Sequence, residues 1–200
     1  MLKTLDFYFD FYSPYGYLAS LEIDKLAAKH NREAVWRPTL LGPVFKAMGQ
    51  SPMIDVPMLG EYSRHDFYRS ARLAGVEFNM PDNFPSHSLP AARAYYWLVD
   101  SEPEKAKALA KGVYHKIFNE GKDGSSPELV AKVGDSVGIN PDDLLEAIQQ
   151  PENKQRLLKE VNDAMSRGVF GSPFIIIDDE PFWGNDRLGQ VDQWLEKGGW

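Results

Sequence analysis

Three short stretches of this 200-residue chain carry residue types able to do chemistry. Ser13-Pro14 stands where strand-forming residues give way to a helical pattern. Serine is a good N-cap and proline fits the first helical position, so capping alone accounts for the pair. The same geometry also suits binding. A helix start offers free N–H groups and partial positive charge to an anion, and the hydroxyl can donate to a bound thiolate or oxyanion. Gly171-Ser172-Pro173 precedes an apolar run. Proline is tolerated at the first residue of a strand, or a cis Ser172–Pro173 bond turns the backbone of Ser172 towards a ligand. Trp183-Gly184-Asn185-Asp186-Arg187 reads either as a turn and helix cap or as a second ligand-facing helix start. In the second case Asp186 meets an ammonium and backbone amides meet a carboxylate.

Other chemistries find little support. The chain contains no cysteine, so no thiol of its own takes part. His30, His65, His87 and His115 do not cluster at metal-ligand spacing, and no metal site is expected. No G-x-G-x-x-G follows a strand, and Gly121-Lys122-Asp123-Gly124-Ser125-Ser126 mimics a phosphate loop only in the wrong order and after a helix. A serine hydrolase would need a G-x-S-x-G elbow.

The elements that must position these residues follow from periodicity. Leu5, Phe7, Phe9 and Phe11 alternate with Asp6, Tyr8, Asp10 and Tyr12, a period-2 strand. One helix is expected from Pro14 to about His30, then a strand over 34–37, together the size of a βαβ crossover. The proline- and glycine-rich stretch 40–60 reads as irregular with one short helix, and Phe84-Pro85 and Leu89-Pro90 as brackets of a loop. Helices are expected over 61–74, 91–99, 104–119 and 151–167. Ser126-Pro127 and Asn140-Pro141 mark two more starts. The aromatic residues of 104–119 read as core. Phe174-Ile175-Ile176-Ile177 reads as a buried strand, Phe182-Trp183 as its partner, and Asn185-Asp186 as the cap of a last helix. The order β-α-β, helices, β-β-α predicts an α/β fold with one sheet and a helical insertion.

Composition sets outer bounds. Hydrophobic residues make up 43% and charged residues 26%, an ordinary globular balance. A net charge of -7 argues against a nucleic-acid surface. Acids interrupt the N-terminal apolar residues and no stretch approaches membrane-spanning length, so a cytoplasmic, membrane-free setting is the expectation.

Taken in order, the three stretches resemble one family, the 2-hydroxychromene-2-carboxylate isomerases, relatives of kappa-class glutathione transferases and DsbA-like thioredoxin-fold proteins. Asp6-Phe7-Tyr8-Phe9-Asp10-Phe11-Tyr12-Ser13-Pro14-Tyr15-Gly16 is similar to their opening. Val169-Phe170-Gly171-Ser172-Pro173 resembles their cis-proline motif, and Phe182-Trp183-Gly184-Asn185-Asp186-Arg187-Leu188 their glutathione motif. The resemblance implies a thioredoxin-like domain from 1–40 and 169–200 and a helical insertion domain over 41–168. It implies glutathione as cofactor, a small aromatic substrate, and a homodimer. Met53, Met58, Tyr62 and Tyr68 would supply part of its apolar interface. Ser13 would be catalytic, and Ser13, Ser172, Pro173, Asn185, Asp186 and Arg187 would bind glutathione. Tyr15, Gln50, Arg64, His87 and Arg93 are substrate-side candidates. The implied reaction interconverts 2-hydroxychromene-2-carboxylate and trans-o-hydroxybenzylidenepyruvate by reversible thiolate addition. A kappa-like transferase or peroxidase acting on another electrophile is the alternative, and a non-catalytic thioredoxin-fold binding protein is a third reading.

Overall fold

The computed structural model describes residues 3–200. The chain runs β1 (Lys3–Phe9), α1 (Pro14–Ser20), α2 (Ile23–Lys29), β2 (Arg32–Pro38), α3 (Leu41–Met48), a 3-10 turn (Met53–Asp55) and α4 (Leu59–Leu73). It continues through α5 (Leu89–Leu98), α6 (Pro103–Phe118), α7 (Pro127–Ser136), α8 (Pro141–Gln149) and α9 (Pro151–Ser166). It ends with β3 (Phe174–Ile177), β4 (Glu180–Trp183), a 3-10 turn (Asn185–Arg187) and α10 (Leu188–Lys197). This is the thioredoxin-like α/β core with a helical insertion between β2 and β3.

The early and late strands join one sheet in the order β2-β1-β3-β4. β1 runs parallel to β2, with Phe7 opposite Trp36, and antiparallel to β3, with Phe7 opposite Ile175. Alternation along β1 sorts its side chains between two faces. Leu5, Phe7 and Phe9 join Trp36, Ile175 and Ile177 in the main core, which runs on without a break into α5 and α6. Tyr8 faces the other way and packs with Phe174, Ile176, Ala164 and Val169 under α9. Asp6 on that face is held by Arg37 at 2.7 Å and Arg167 at 2.6 Å.

One local detail departs from expectation. The single helix expected to reach His30 is broken after Ser20, whose hydroxyl donates to the Tyr17 carbonyl at 2.6 Å. Leu21 and Glu22 then donate three residues back, to Leu18 and Ala19, so the chain tightens and restarts at Ile23. Leu89-Pro90 bounds the loop from the helix side. It is the first turn of α5, where proline costs no hydrogen bond. The caps at Ser126 and Asn140 form as expected, accepting from Leu129 at 3.1 Å and from Asp142 at 2.9 Å.

Candidate active site

The turn from β1 into α1 is organised by Asp10. Its Oδ1 accepts the Tyr12 N–H two residues on at 3.0 Å, a local turn bond that aspartate favours. The same oxygen accepts the Ser88 hydroxyl at 2.8 Å, and Oδ2 accepts the Leu41 N–H at 2.8 Å. Leu41 and Ser88 stand at the starts of α3 and α5, which have no side-chain cap of their own. One buried carboxylate therefore fixes both helix starts. Burial pushes the Asp10 carboxyl up, against the pull of its Leu41, Tyr12 and Ser88 donors. The Asp10 carbonyl accepts from Ser13 N–H and from the buried Tyr114 hydroxyl, each at 2.9 Å.

Ser13 caps α1, accepting the Gly16 N–H at 3.0 Å. Its own hydrogen goes elsewhere: Ser13 Oγ donates to the Ser172 carbonyl at 2.8 Å. The Asp10 N–H donates to Ser172 Oγ at 2.9 Å. The Ser172–Pro173 bond is cis, and the Pro173 carbonyl accepts the Gly184 N–H at 3.0 Å. Gly16 makes this junction possible, because a Cβ there would lie 2.7 Å from both Ser172 Oγ and the Tyr114 hydroxyl. Gly171 is confined in the same way, since a Cβ would overlap the half-exposed indole of Trp183. That indole packs edge-on against Phe170 at 4.9 Å between ring centroids.

These groups form one end of a cavity of about 890 Å³. Asp10, Ser13, Ser172, Phe170 and Trp183 line that side. α3, the first 3-10 turn and the start of α4 supply an apolar opposite wall that includes Phe45, Met48, Met53, Ile54 and Leu59. Phe67 and Phe84 close it. Tyr12 and Tyr15 also line the cavity, but their hydroxyl hydrogens are committed, to Asp123 at 3.0 Å and to Asp66 at 2.5 Å. Burial, helped by Asp123, pushes the Tyr12 hydroxyl up to about 12, and burial with Asp66 pushes that of Tyr15 up as well. Neither phenol is poised to exchange a proton near neutrality.

Of the residues singled out above, Ser13, Tyr15, Gln50, His87 and Ser172 share this cavity. Arg64 does not reach its wall. The buried face of α4 carries Gly60, Ser63, Phe67 and Ala71, and Arg64 is exposed at the edge of that face, one turn on from Gly60. Its guanidinium lies 3.5 Å from Met80 Sδ instead. Arg93, on α5, is also outside the cavity wall, and its buried Nε makes no hydrogen bond. Pro173, Asn185, Asp186 and Arg187 lie outside the wall too. Asn185 and Asp186 do not cap α10. They form the second 3-10 turn, which touches α1, and Asp186 pairs with Arg187 at 3.0 Å on the surface. Met53 faces the cavity, whereas Met58, Tyr62 and Tyr68 are exposed. Sequence reasoning missed Asp10, Phe170 and Trp183 as site residues. An acid directly after the strand, three residues before Ser13, was the available signal for Asp10.

The chain and its fold are similar to those of known proteins. A family model for the DSBA-like thioredoxin domain matches residues 4–196. A 2-hydroxychromene-2-carboxylate isomerase of Sphingobium xenophagum is 31% identical over 203 aligned positions, covering 98% of this chain and 99% of its own length. Glutathione S-transferase kappa 2 of Caenorhabditis elegans is 26% identical, with 96% of this chain and 92% of the relative covered. A solved 2-hydroxychromene-2-carboxylate isomerase structure superposes with a TM-score of 0.88 at 27% identity, covering 97% of this chain and 95% of that one. With its mixed sheet, its cis-proline loop and matches that span both chains almost end to end, this chain belongs to the DSBA-like thioredoxin-domain family and, within it, to the family of the 2-hydroxychromene-2-carboxylate isomerases.

Proposed function

We propose that this protein is a glutathione-dependent isomerase of conjugated aromatic compounds. The reference reaction is the interconversion of 2-hydroxychromene-2-carboxylate and trans-o-hydroxybenzylidenepyruvate. The observation that carries this reading is the 2.8 Å bond from the Ser13 hydroxyl to the Ser172 carbonyl at the end of a large, mostly apolar cavity. The chain has no thiol, so a sulfur nucleophile must come from a ligand. A cysteinyl peptide suits these two groups. Its amide N–H can take over the Ser172 carbonyl, which releases the Ser13 hydrogen for the neighbouring sulfur. Each acceptor keeps one donor throughout, and the hydroxyl moves only by rotation. Bound glutathione would supply a thiolate that adds reversibly to a conjugated carbon, so that the double bond becomes single and can rotate. Ser13 holds that charge by a charge-assisted hydrogen bond, while Asp10 fixes Ser172 through its own N–H.

Pro173 sets the backbone of Ser172, and Asn185, Asp186 and Arg187 would take the γ-glutamyl end of the tripeptide at the surface beside α1. Tyr15, Gln50 and His87 would face the substrate. The proposed division places a thioredoxin-like domain at 1–40 and 169–200, with the helical insertion over 41–168 providing the substrate wall. A cytoplasmic setting, where glutathione is at hand, completes the reading. Among the described residues no helix is long and apolar enough to cross a membrane.

Calorimetry with glutathione tests the binding step, and absence of binding would leave only a thioredoxin-fold scaffold. A panel of conjugated aromatic compounds and simple electrophiles then separates isomerisation from stable thioether formation, the outcome that a kappa-like transferase would give. Asp186→Ala removes binding shared by ground state and transition state, so it should raise the glutathione KM and leave kcat nearly intact. Because Asp186 is exposed, the expected rise is about 2- to 5-fold, the range of a solvent-screened ion pair. A fall in kcat instead would place Asp186 nearer the chemistry.

The homodimer is proposed on the exposed apolar side chains of α4 and the segment before it. Met58 is 85% exposed, Tyr62 57% and Leu73 90%. Light scattering at micromolar concentration should give twice the chain mass of 22.6 kDa, and a monomer mass alone would refute the dimer.

A further inference from the structure

The loop before α5 is fixed at both ends. Phe84 packs against the Tyr12 and Phe67 rings, at 6.2 and 6.3 Å between centroids. Ser88 is tied to Asp10 by its hydroxyl at 2.8 Å. His87 stands between these anchors, exposed and in the cavity wall. His30 pairs with Asp192 and His115 with Glu120, whereas among the described residues no carboxylate pairs with His87. The wall holds no lysine or arginine among the described residues, so His87 is its one side chain able to become cationic. We infer that His87, as imidazolium, selects a carboxylate on the substrate of this site. The inference rests on the isomerase reading above, whose reference substrate and product are both carboxylates.

The other groups near the cavity do not fill that role. Asp10 is an acid, and its oxygens already accept three donors. The Tyr12 and Tyr15 hydroxyls donate to Asp123 and Asp66. Lys46 on α3, Asp55 on the first 3-10 turn, Arg64 on α4 and Asp82 in the loop of His87 itself lie outside the wall. The side formed by Phe170, Ser172 and Trp183 carries no group that titrates near neutrality. Gln50, Ser51 and Ser86 can donate hydrogen bonds, but a neutral donor leaves the charge uncompensated. A carboxylate carried into the apolar interior would lose its hydration beside an anionic thiolate. At the rim it keeps part of that hydration and meets a cation. The aromatic ring then points inwards, towards Phe45, Phe67 and Phe84. The sign of the charge sets the direction of the pH dependence. An imidazole ordinarily loses its proton between about pH 5 and pH 8, so preference for the carboxylate is full at the acidic end and fades as pH rises.

Steady-state turnover of trans-o-hydroxybenzylidenepyruvate and of its carboxamide, with glutathione present, tests this on the full chain. The carboxamide has nearly the shape of the carboxylate without its charge. The readout is the ratio of the two kcat/KM values, carboxylate over carboxamide, from about pH 5 to about pH 8. Ionisation of the glutathione thiol and of Asp10 affects both substrates and drops out of that ratio. In the wild type the ratio should fall by about 3- to 10-fold as pH rises. His87→Lys keeps a cation throughout and should hold the acidic-end ratio at every pH. His87→Gln should hold the alkaline-end ratio. Because His87 is exposed, neither replacement disturbs the core. A wild-type ratio that does not change with pH would overturn the inference, and so would a His87→Gln ratio that still falls as the wild type does. In both cases glutathione-dependent turnover leaves the isomerase reading standing. No such turnover of either substrate would remove that reading and this inference with it.

Discussion

Ser13→Ala should slow turnover at neutral pH by about 10- to 150-fold while barely changing glutathione affinity at low pH. The hydroxyl has two duties: it accepts the Gly16 N–H and donates to the Ser172 carbonyl. The first is structural, and its loss should cost about 1 kcal/mol of stability. The second is the hydrogen that a bound thiolate would take. A hydrogen bond to a charged group contributes roughly 1.5–3 kcal/mol. If that bond favours only the ionised sulfur, its loss raises the pKa of bound glutathione by about 1–2. Titrating the ultraviolet absorbance of the thiolate on wild type and Ser13→Ala measures this directly. A lowered melting temperature with an unchanged thiol pKa would make Ser13 a cap and nothing more.

Asp10→Ala should be the most destabilising single change at this site, costing on the order of 2–4 kcal/mol. It strands the buried N–H of Tyr12, leaves the part-buried N–H of Leu41 at the cavity wall without its acceptor, and leaves the Ser88 hydroxyl to find another. One term works the other way. Burial disfavours the ionised carboxylate, so removing it also removes a cost. Asp10→Asn separates the two. Its amide keeps one acceptor oxygen and the shape, but turns an NH2 towards a donor. Urea denaturation should rank wild type above the asparagine variant, and the asparagine variant above the alanine one. An asparagine variant as stable as wild type would mean that the burial cost fully offsets the third hydrogen bond.

Much of this site was legible in the sequence, and the limits have physical causes. Ser13-Pro14 announced a strand-to-helix junction because both residues act within a single turn of chain. The period-2 pattern from Leu5 to Phe11 placed β1 for the same local reason. Gly171-Ser172-Pro173 left two conformations open, and the cis form is the one adopted. Asp10 stayed hidden because its partners Leu41, Ser88 and Ser172 are remote in sequence, and nothing near Asp10 signals them. The break after Ser20 falls where a hydroxyl bonds back to the Tyr17 carbonyl, a contact that apolar periodicity does not register. Arg64 looked available to a ligand, but its guanidinium lies against Met80 outside the cavity wall, a contact 16 residues away that nothing near Arg64 signals.

The pairing of Phe7 with Ile175 also dictates an order of assembly. β1 is synthesised first and its antiparallel neighbour almost last, with the helices from α3 to α9 between them. Until β3 arrives, one edge of the most aromatic strand in the protein has nothing to bond to. An edge of that kind invites pairing with another chain, and contacts so distant in sequence form slowly. The helical segment shares an unbroken core with β1, so it can shield one face of the strand in the meantime, but not its edge. A chain truncated before Phe174 would keep that edge open permanently. It should aggregate during expression instead of accumulating as a smaller folded protein.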